Sequence, residues 1–276
     1  MRYTSALLPF AALLFTSAVY AGPFAPAAGQ PGSTAIIGTD PSFVQWATGY
    51  ESYLPGSNVD AVWKTPENAL GGAAGTDLNS VFDIVTLGDG GQITLTFSGT
   101  IFNGAGYDFA VFENSFNDTF LELAYVEVSS DGLNFFRFPN YSFTPNPVGG
   151  YGAVDPTNIH NLAGKYKVGY GTPFDLDDLV GIDGLDVNAV SHVRIVDIVG
   201  DGSYFDSYPA EFGGSNPIYD PFPTWGSGGF DLDAVGVINF AAVAAVPEPS
   251  TYAMLAAGLV LVPVMARRRQ RRRSAA

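Results

Sequence analysis

From Gln92 to Phe97 polar and apolar residues alternate, so Ile93, Leu95 and Phe97 share one face of an extended segment. The stretch YDFAVFEN has two faces. Tyr107, Phe109, Val111 and Glu113 lie on one, and Asp108, Ala110, Phe112 and Asn114 on the other. LAYVEVSSDGLNFFRFP reads as a hairpin: two β-rich runs flank Ser130-Asp131-Gly132-Leu133, where Asp-Gly favours positive φ in a tight turn. SHVRIVDIVGD and FDLDAVGVINF add two strands of β-branched and apolar residues. Residues 139–173 and 200–229, rich in Gly, Pro, Asn and Tyr, read as long loops. No stretch carries a long amphipathic helical period. TPFDLDDLVG predicts one short helix, with Thr172 as cap and Pro173 in the first turn. Short strands joined by long loops predict an all-β fold: one antiparallel β-sandwich, jelly-roll-like, over residues 35–245. The Pro/Gly/Ala-rich residues 22–34 read as a flexible lead-in.

Both ends depart from this alternation. Arg2 is followed by an apolar run closing on Val19-Tyr20-Ala21. A basic start, a short apolar helix and small residues at the cut predict a secretory signal peptide over residues 1–21, removed before Gly22. At the other end no charge occurs from Pro249 to Ala266, a run of 18 residues that just reaches the length of a bilayer-spanning helix. Arg267, Arg268, Arg269, Arg271, Arg272 and Arg273 follow it and would stay on the cytoplasmic side. This predicts a single transmembrane helix in residues 246–276, with the body held outside the inner membrane.

The order of the parts is specific. Val246-Pro247-Glu248-Pro249-Ser250-Thr251, a short apolar span and a terminal arginine cluster resemble the PEP-CTERM sorting signal of Gram-negative bacteria. The resemblance implies recognition by an exosortase, a membrane protease-transpeptidase, and loss of the tail near Pro247, Glu248 and Pro249. It also implies export in bacteria that build extracellular polysaccharide or biofilm. Two prolines keep the segment extended and out of the preceding fold, as a protease requires. Glu248 is then a recognition element rather than a catalytic group. Segments between Tyr107 and Asn239, VEVSSDGLNFFRF among them, also resemble domains of bacterial surface proteins and carbohydrate-binding sandwiches; no catalytic residues come with that resemblance.

Charge sharpens the picture. Of 12 basic residues, Arg2 and the six terminal arginines lie at the ends, leaving five between them against all 27 acidic residues, a net charge of −22. Such a body repels nucleic acid and anionic membrane surfaces and attracts cations, calcium included. The chain has no cysteine, hence no disulfide, thiol nucleophile or cysteine metal site.

Carboxylates are therefore the main chemical resource. Asp231 and Asp233 stand two apart on a predicted strand, which points them the same way, with Val235 and Val237 continuing their face. Paired carboxylates at the end of an apolar strand need a cation or a donor. The same holds for Glu113 and Asn114 after DFAVF, and for Asp197 inside a β-branched run. Glu113, Asn114, Asp197, Asp231 and Asp233 are thus a candidate calcium set. The alternative is that these carboxylates cap turns, bind backbone amides or pair with Arg137, Arg194, Lys165 or Lys167. Tyr204, Tyr208, Tyr219 and Trp225, crowded with carboxylates in the 200–229 segment, are candidate stacking surfaces for sugar rings; the alternative is that they pack that segment onto the fold.

Enzyme motifs are sparse. The two histidines, His160 and His192, form no zinc motif, and neither a nucleophile elbow nor a phosphate loop is present. Two carboxylates suffice for a glycosidase, so that reading stays open. The sequence as a whole predicts a non-enzymatic exported surface or matrix protein. Its expected partners are an exosortase and extracellular polysaccharide, not nucleic acid. A polysaccharide hydrolase or lyase and a purely structural biofilm component are the alternatives.

Overall fold

The computed structural model describes residues 21–75 and 82–242. The signal peptide expected over residues 1–21, save Ala21, the expected membrane helix and the sorting residues Pro247, Glu248 and Pro249 lie outside them. The chain divides into two compact units, Met1–Phe240 and Ala241–Ala276, and the first of these carries the sheets. Among the described residues no helix is long and apolar enough to cross a membrane.

The predicted strands form, and shorter ones join them. In chain order they are β1 (Ile36–Ile37), β2 (Gln45–Trp46), β3 (Gly49–Leu54), β4 (Val85–Thr86), β5 (Gln92–Ile101), β6 (Phe109–Glu113) and β7 (Ala124–Ser129). Then come β8 (Phe136–Arg137), β9 (Tyr141–Ser142), β10 (Ile159–His160), β11 (Tyr170–Phe174), β12 (Val190–Asp197), β13 (Asp201–Phe205), β14 (Pro217–Tyr219) and β15 (Asp231–Val237). One sheet runs β1-β11-β6-β15-β2, with β4 also on β15; a second runs β5-β12-β7-β8, with β3 also on β5. These pairs are antiparallel.

The two sheets bury one core between them, as a β-sandwich does. Phe109, Val111, Leu232, Val235 and Val237 come from the first sheet; Ile93, Leu95, Val126, Val128, Val193 and Ile195 come from the second. Each fully buried side chain of this kind contributes about 1.5–3 kcal/mol. Phe109 stacks on Phe174 at 5.4 Å between centroids and meets Phe138 edge-on at 5.8 Å, filling one end of the core. The opposite face of β6 carries Ala110 and Phe112, which pack with Ala234, Phe43 and Trp46 in a separate small cluster. Both predicted faces of YDFAVFEN are therefore used.

Four details differ from the sequence expectation. First, β15 does not alternate throughout. Leu232 opposes Glu113 but Ala234 opposes Phe112, so Asp233 is an extra residue, a bulge. Val235 and Val237 consequently join the core with Leu232 instead of continuing the aspartate face. Second, Thr172, Pro173 and Phe174 belong to β11. The helix is a single 3₁₀ turn, Leu176–Leu179, capped by the Asp175 carboxylate, which accepts from the Asp177 N–H at 3.0 Å. Third, the two long loops carry β9 to β11 and β13 to β14, and pack a second cluster against the start of β7 and the end of β12: Leu121, Leu123, Tyr125, Val154, Ile159, Leu162, Ile198 and Ile218. Fourth, the start of the 22–34 segment is docked. The Phe24 N–H donates to Thr157 O at 3.0 Å, and the Phe24 ring stacks on His160 and Phe143 at 5.0 and 5.4 Å.

Candidate functional site

Strand register gathers carboxyls at one end of the sandwich. Glu113 closes β6 and Asp231 opens β15, and Leu232 pairs with Glu113. On the second sheet Asp197 closes β12 opposite Ala124, which opens β7 two residues after Glu122. The Phe230 N–H donates to Asp197 Oδ1 at 2.7 Å, tying the sheets together there. Asp220 joins them through the Leu123 N–H, at 2.8 Å.

Among the described residues these groups have no cation beside them. The ion pairs there are Arg137 and Arg194 with Glu127 and Lys167 with Asp118, and the His192 ring lies 3.8 Å from Glu51. Lys165 donates to the Ile159 carbonyl at 2.7 Å. Burial therefore raises every carboxyl at this end. Asp197 and Asp231 rise to about 7, and Glu113, Glu122 and Asp220 rise well above the usual carboxyl range. For Glu122 burial is the largest cause, followed by the charges of Asp231 and Glu113.

The five residues read as a calcium set are not gathered into one. Asp197 is spent on two backbone amides, Gly90 at 2.8 Å and Phe230 at 2.7 Å. Asp233, on the bulge, takes the Ala74 N–H on both oxygens at 3.0 and 3.1 Å. Glu113, Asn114 and Asp231 do adjoin. Asn114 Nδ2 donates to Asp231 Oδ2 at 3.2 Å, Thr86 Oγ1 donates to Asp231 Oδ1, and the Ser115 N–H donates to Glu113 Oε2 at 2.9 Å. Among the described residues no three acidic or histidine side chains converge closely enough to hold a metal.

The four predicted stacking residues also separate. Tyr204 packs on Tyr125 at 6.2 Å, Tyr208 meets Tyr141 and Phe143 edge-on, and Tyr219 covers Gly202. Trp225 is the one of the four that borders an aromatic row beside a cleft. It stacks on Tyr151 at 5.7 Å, Tyr151 lies 6.5 Å from Phe120, and Phe120 stacks on Phe116 at 5.7 Å. Tyr151 is 85% exposed and Trp225 58%. Gly150 lies close under Trp225; a Cβ there would come within 2.7 Å of the indole. The row borders a cleft of about 160 Å³ lined also by Glu122 and Asp231. Glu122 is 7% exposed, and among the described residues nothing donates to its carboxylate. Sequence reading missed Glu122, Phe116, Phe120 and Tyr151, because each sits in a segment with no periodicity.

A larger cavity, about 380 Å³, lies under Phe24 and Tyr107. Its polar groups are largely satisfied within the protein: Lys165 by Ile159 O, and Asn161 Nδ2 by Asp178 Oδ2 at 2.7 Å.

At the far end of the chain, the family profile of the PEP-CTERM protein-sorting motif matches residues 245–270. The chain carries a PEP-CTERM protein-sorting motif. No curated protein matches it. The PEP-CTERM segment marks the chain as an exosortase substrate, hence exported and transiently anchored in the membrane. The acidic sandwich is therefore the part delivered outside.

Proposed function

We propose that the sorted body is a non-catalytic, polysaccharide-associating module, and that the ring row from Phe116 to Trp225 is its contact surface. The observation that carries this reading is the juxtaposition of four aromatic rings, three of them exposed, with a buried carboxyl lining the same cleft. Flat apolar faces stack on sugar rings, and a carboxyl meets hydroxyl groups. At about 160 Å³ the cleft is smaller than pockets that engulf a small molecule, which suits one residue of a polymer lying across an open row. The surplus of acidic side chains repels anionic chains, so the ligand is a neutral polysaccharide.

Affinity electrophoresis of the exported protein through gels holding neutral or uronate-rich polysaccharide tests this. Retardation by a neutral polymer, lost in Trp225→Ala and Tyr151→Ala, supports the reading. Equal mobility in all gels refutes it.

One observation favours hydrolysis as a second reading: Glu122 and Asp231 line the same cleft, and burial raises the Glu122 carboxyl well above the usual range, the direction a general acid requires. Release of reducing ends, abolished by Glu122→Gln, would establish it over simple binding.

A further inference from the structure

The first described residues converge on the 3₁₀ turn Pro156–Asn158. The Gly22 N–H donates to Thr157 Oγ1 at 2.6 Å. The Thr157 hydroxyl in turn donates to Asp155 Oδ1 at 2.7 Å, which also accepts the Thr157 N–H at 2.9 Å. The hydroxyl proton is thus committed to Asp155, and its lone pair faces Gly22. The fit around Gly22 is close. A Cβ at this position would lie 2.2 Å from Thr157 O and 2.4 Å from Asn158 Oδ1. No real Cβ tolerates such contacts, so residue 22 must be glycine here. One residue further back, Ala21 is exposed. Two residues further on, Phe24 locks the segment between His160 and Phe143.

The docked chain begins where the leader is expected to end, and its nitrogen meets the Thr157 hydroxyl with the Asp155 carboxylate one hydroxyl beyond. A charged donor gains more from that acceptor chain than a neutral amide does. We propose that the chain is cut between Ala21 and Gly22 and that the amino terminus so created is a built-in part of the fold, held by Thr157 and the Asp155 turn. A leader peptidase supplies the cut. Water adds across the amide, Ala21 leaves with a carboxylate, and the Gly22 nitrogen takes up protons to become an ammonium. The Asp155 carboxylate then sits one hydroxyl away from the new charge. Leader removal thereby completes the sandwich as well as releasing it.

The test uses the full gene expressed in a secreting bacterial host. N-terminal sequencing and intact mass of the exported protein are expected to find Gly22 as the first residue. A second chain carries Ala-Ala inserted after Ala21, so that processing leaves an extension and the amine is displaced. It is expected to melt lower by roughly 2–4 °C, the response of a domain this size to loss of one charged contact. Thr157→Val is expected to lower the melting temperature of the native form by more than that of the extended form, which loses only the Asp155 contact. Should Thr157→Val not accumulate, Asp155→Asn, which keeps an acceptor for the Thr157 hydroxyl and removes the charge, serves the same comparison. A first residue other than Gly22, or an extended form that melts with the native one, overturns the proposal.

Discussion

Substituting Asp231 by asparagine should stabilise the protein at pH 8, contrary to the usual result of replacing a buried, hydrogen-bonded residue. Burial raises the folded pKa of Asp231 from 3.8 to about 7, against the donors Thr86 and Asn114, which lower it. A group with a raised folded pKa binds more protons folded than unfolded. Its contribution is complete below the unfolded value near 3.8 and is lost as pH rises through about 7. A shift of this size is worth on the order of 4 kcal/mol for one isolated group. Protons redistribute among Glu113, Glu122 and Asp231, so about 2 kcal/mol is a better figure for the single substitution.

The asparagine variant carries no charge to lose. Its amide can donate to the Thr86 hydroxyl, which rotates to accept, while its oxygen keeps the Asn114 donor. The expected gain at pH 8 is about 4–8 °C in melting temperature, shrinking toward zero at pH 4. Melts followed by circular dichroism at pH 4, 5, 6, 7 and 8, with a calcium chelator present, measure it directly. A variant that melts below the parent at pH 8 would refute the reasoning. So would a parent whose stability rises between pH 5 and pH 8. Tight calcium uptake by the parent would show that its carboxylates rearrange around a cation and are not held neutral by protons.

Asp197 should behave oppositely. Both of its oxygens accept backbone N–H groups, from Gly90 and Phe230, so Asp197→Asn leaves one buried amide facing a donor and should cost about 1–3 kcal/mol at pH 4 in the same melts, a cost that shrinks as pH rises through about 7, where burial disfavours the charged parent. Glu127 receives Arg137 on one oxygen and Arg194 on the other, at 2.8 and 2.7 Å. Glu127→Ala leaves two guanidinium groups on the outer face of the second sheet without their carboxylate and should lower stability by about 2–4 kcal/mol in urea melts.

The sandwich is legible in the sequence because its signal is periodic and local. The alternation in β5, β6 and β12 places Ile93, Leu95, Phe109, Val111 and Ile195 on the core side, where they are found. The two faces of YDFAVFEN are legible for the same reason. Alternation fails where register changes, and a sequence does not announce a bulge. FDLDAVGV reads as regular, yet Asp233 is the extra residue, and that single insertion sends Val235 and Val237 to the face opposite the one expected. The short helix is hard to place because Thr172 and Pro173 suit a helix start as well as a strand. Pairing of Thr172 with Val111 decides between them, and that pairing is a long-range fact.

The site is half legible, and the division is physical. Buried carboxylates on apolar strands do need a partner, as their pattern implies, but the partner in most cases is a backbone amide. Asp197 and Asp233 show why no motif reveals this: the amides come from Gly90, Phe230 and Ala74, remote in sequence and identical in chemistry to every other amide. Glu122 carries no sequence signal at all. It lies in a loop among ordinary residues, and what distinguishes it is an absence of donors, among the described residues, once β7, β12 and the 220–229 segment have closed around it. The fold spends its few cations elsewhere, on Glu127 and Asp118. A chain with five basic residues in its body and a carboxyl left unpaired beside four aromatic rings keeps that carboxyl at the expense of stability. Burying it would be no harder with a leucine at position 122. The asymmetry is the physical ground for reading the cleft as a site rather than as packing: stability alone gives no reason for Glu122 to be a glutamate.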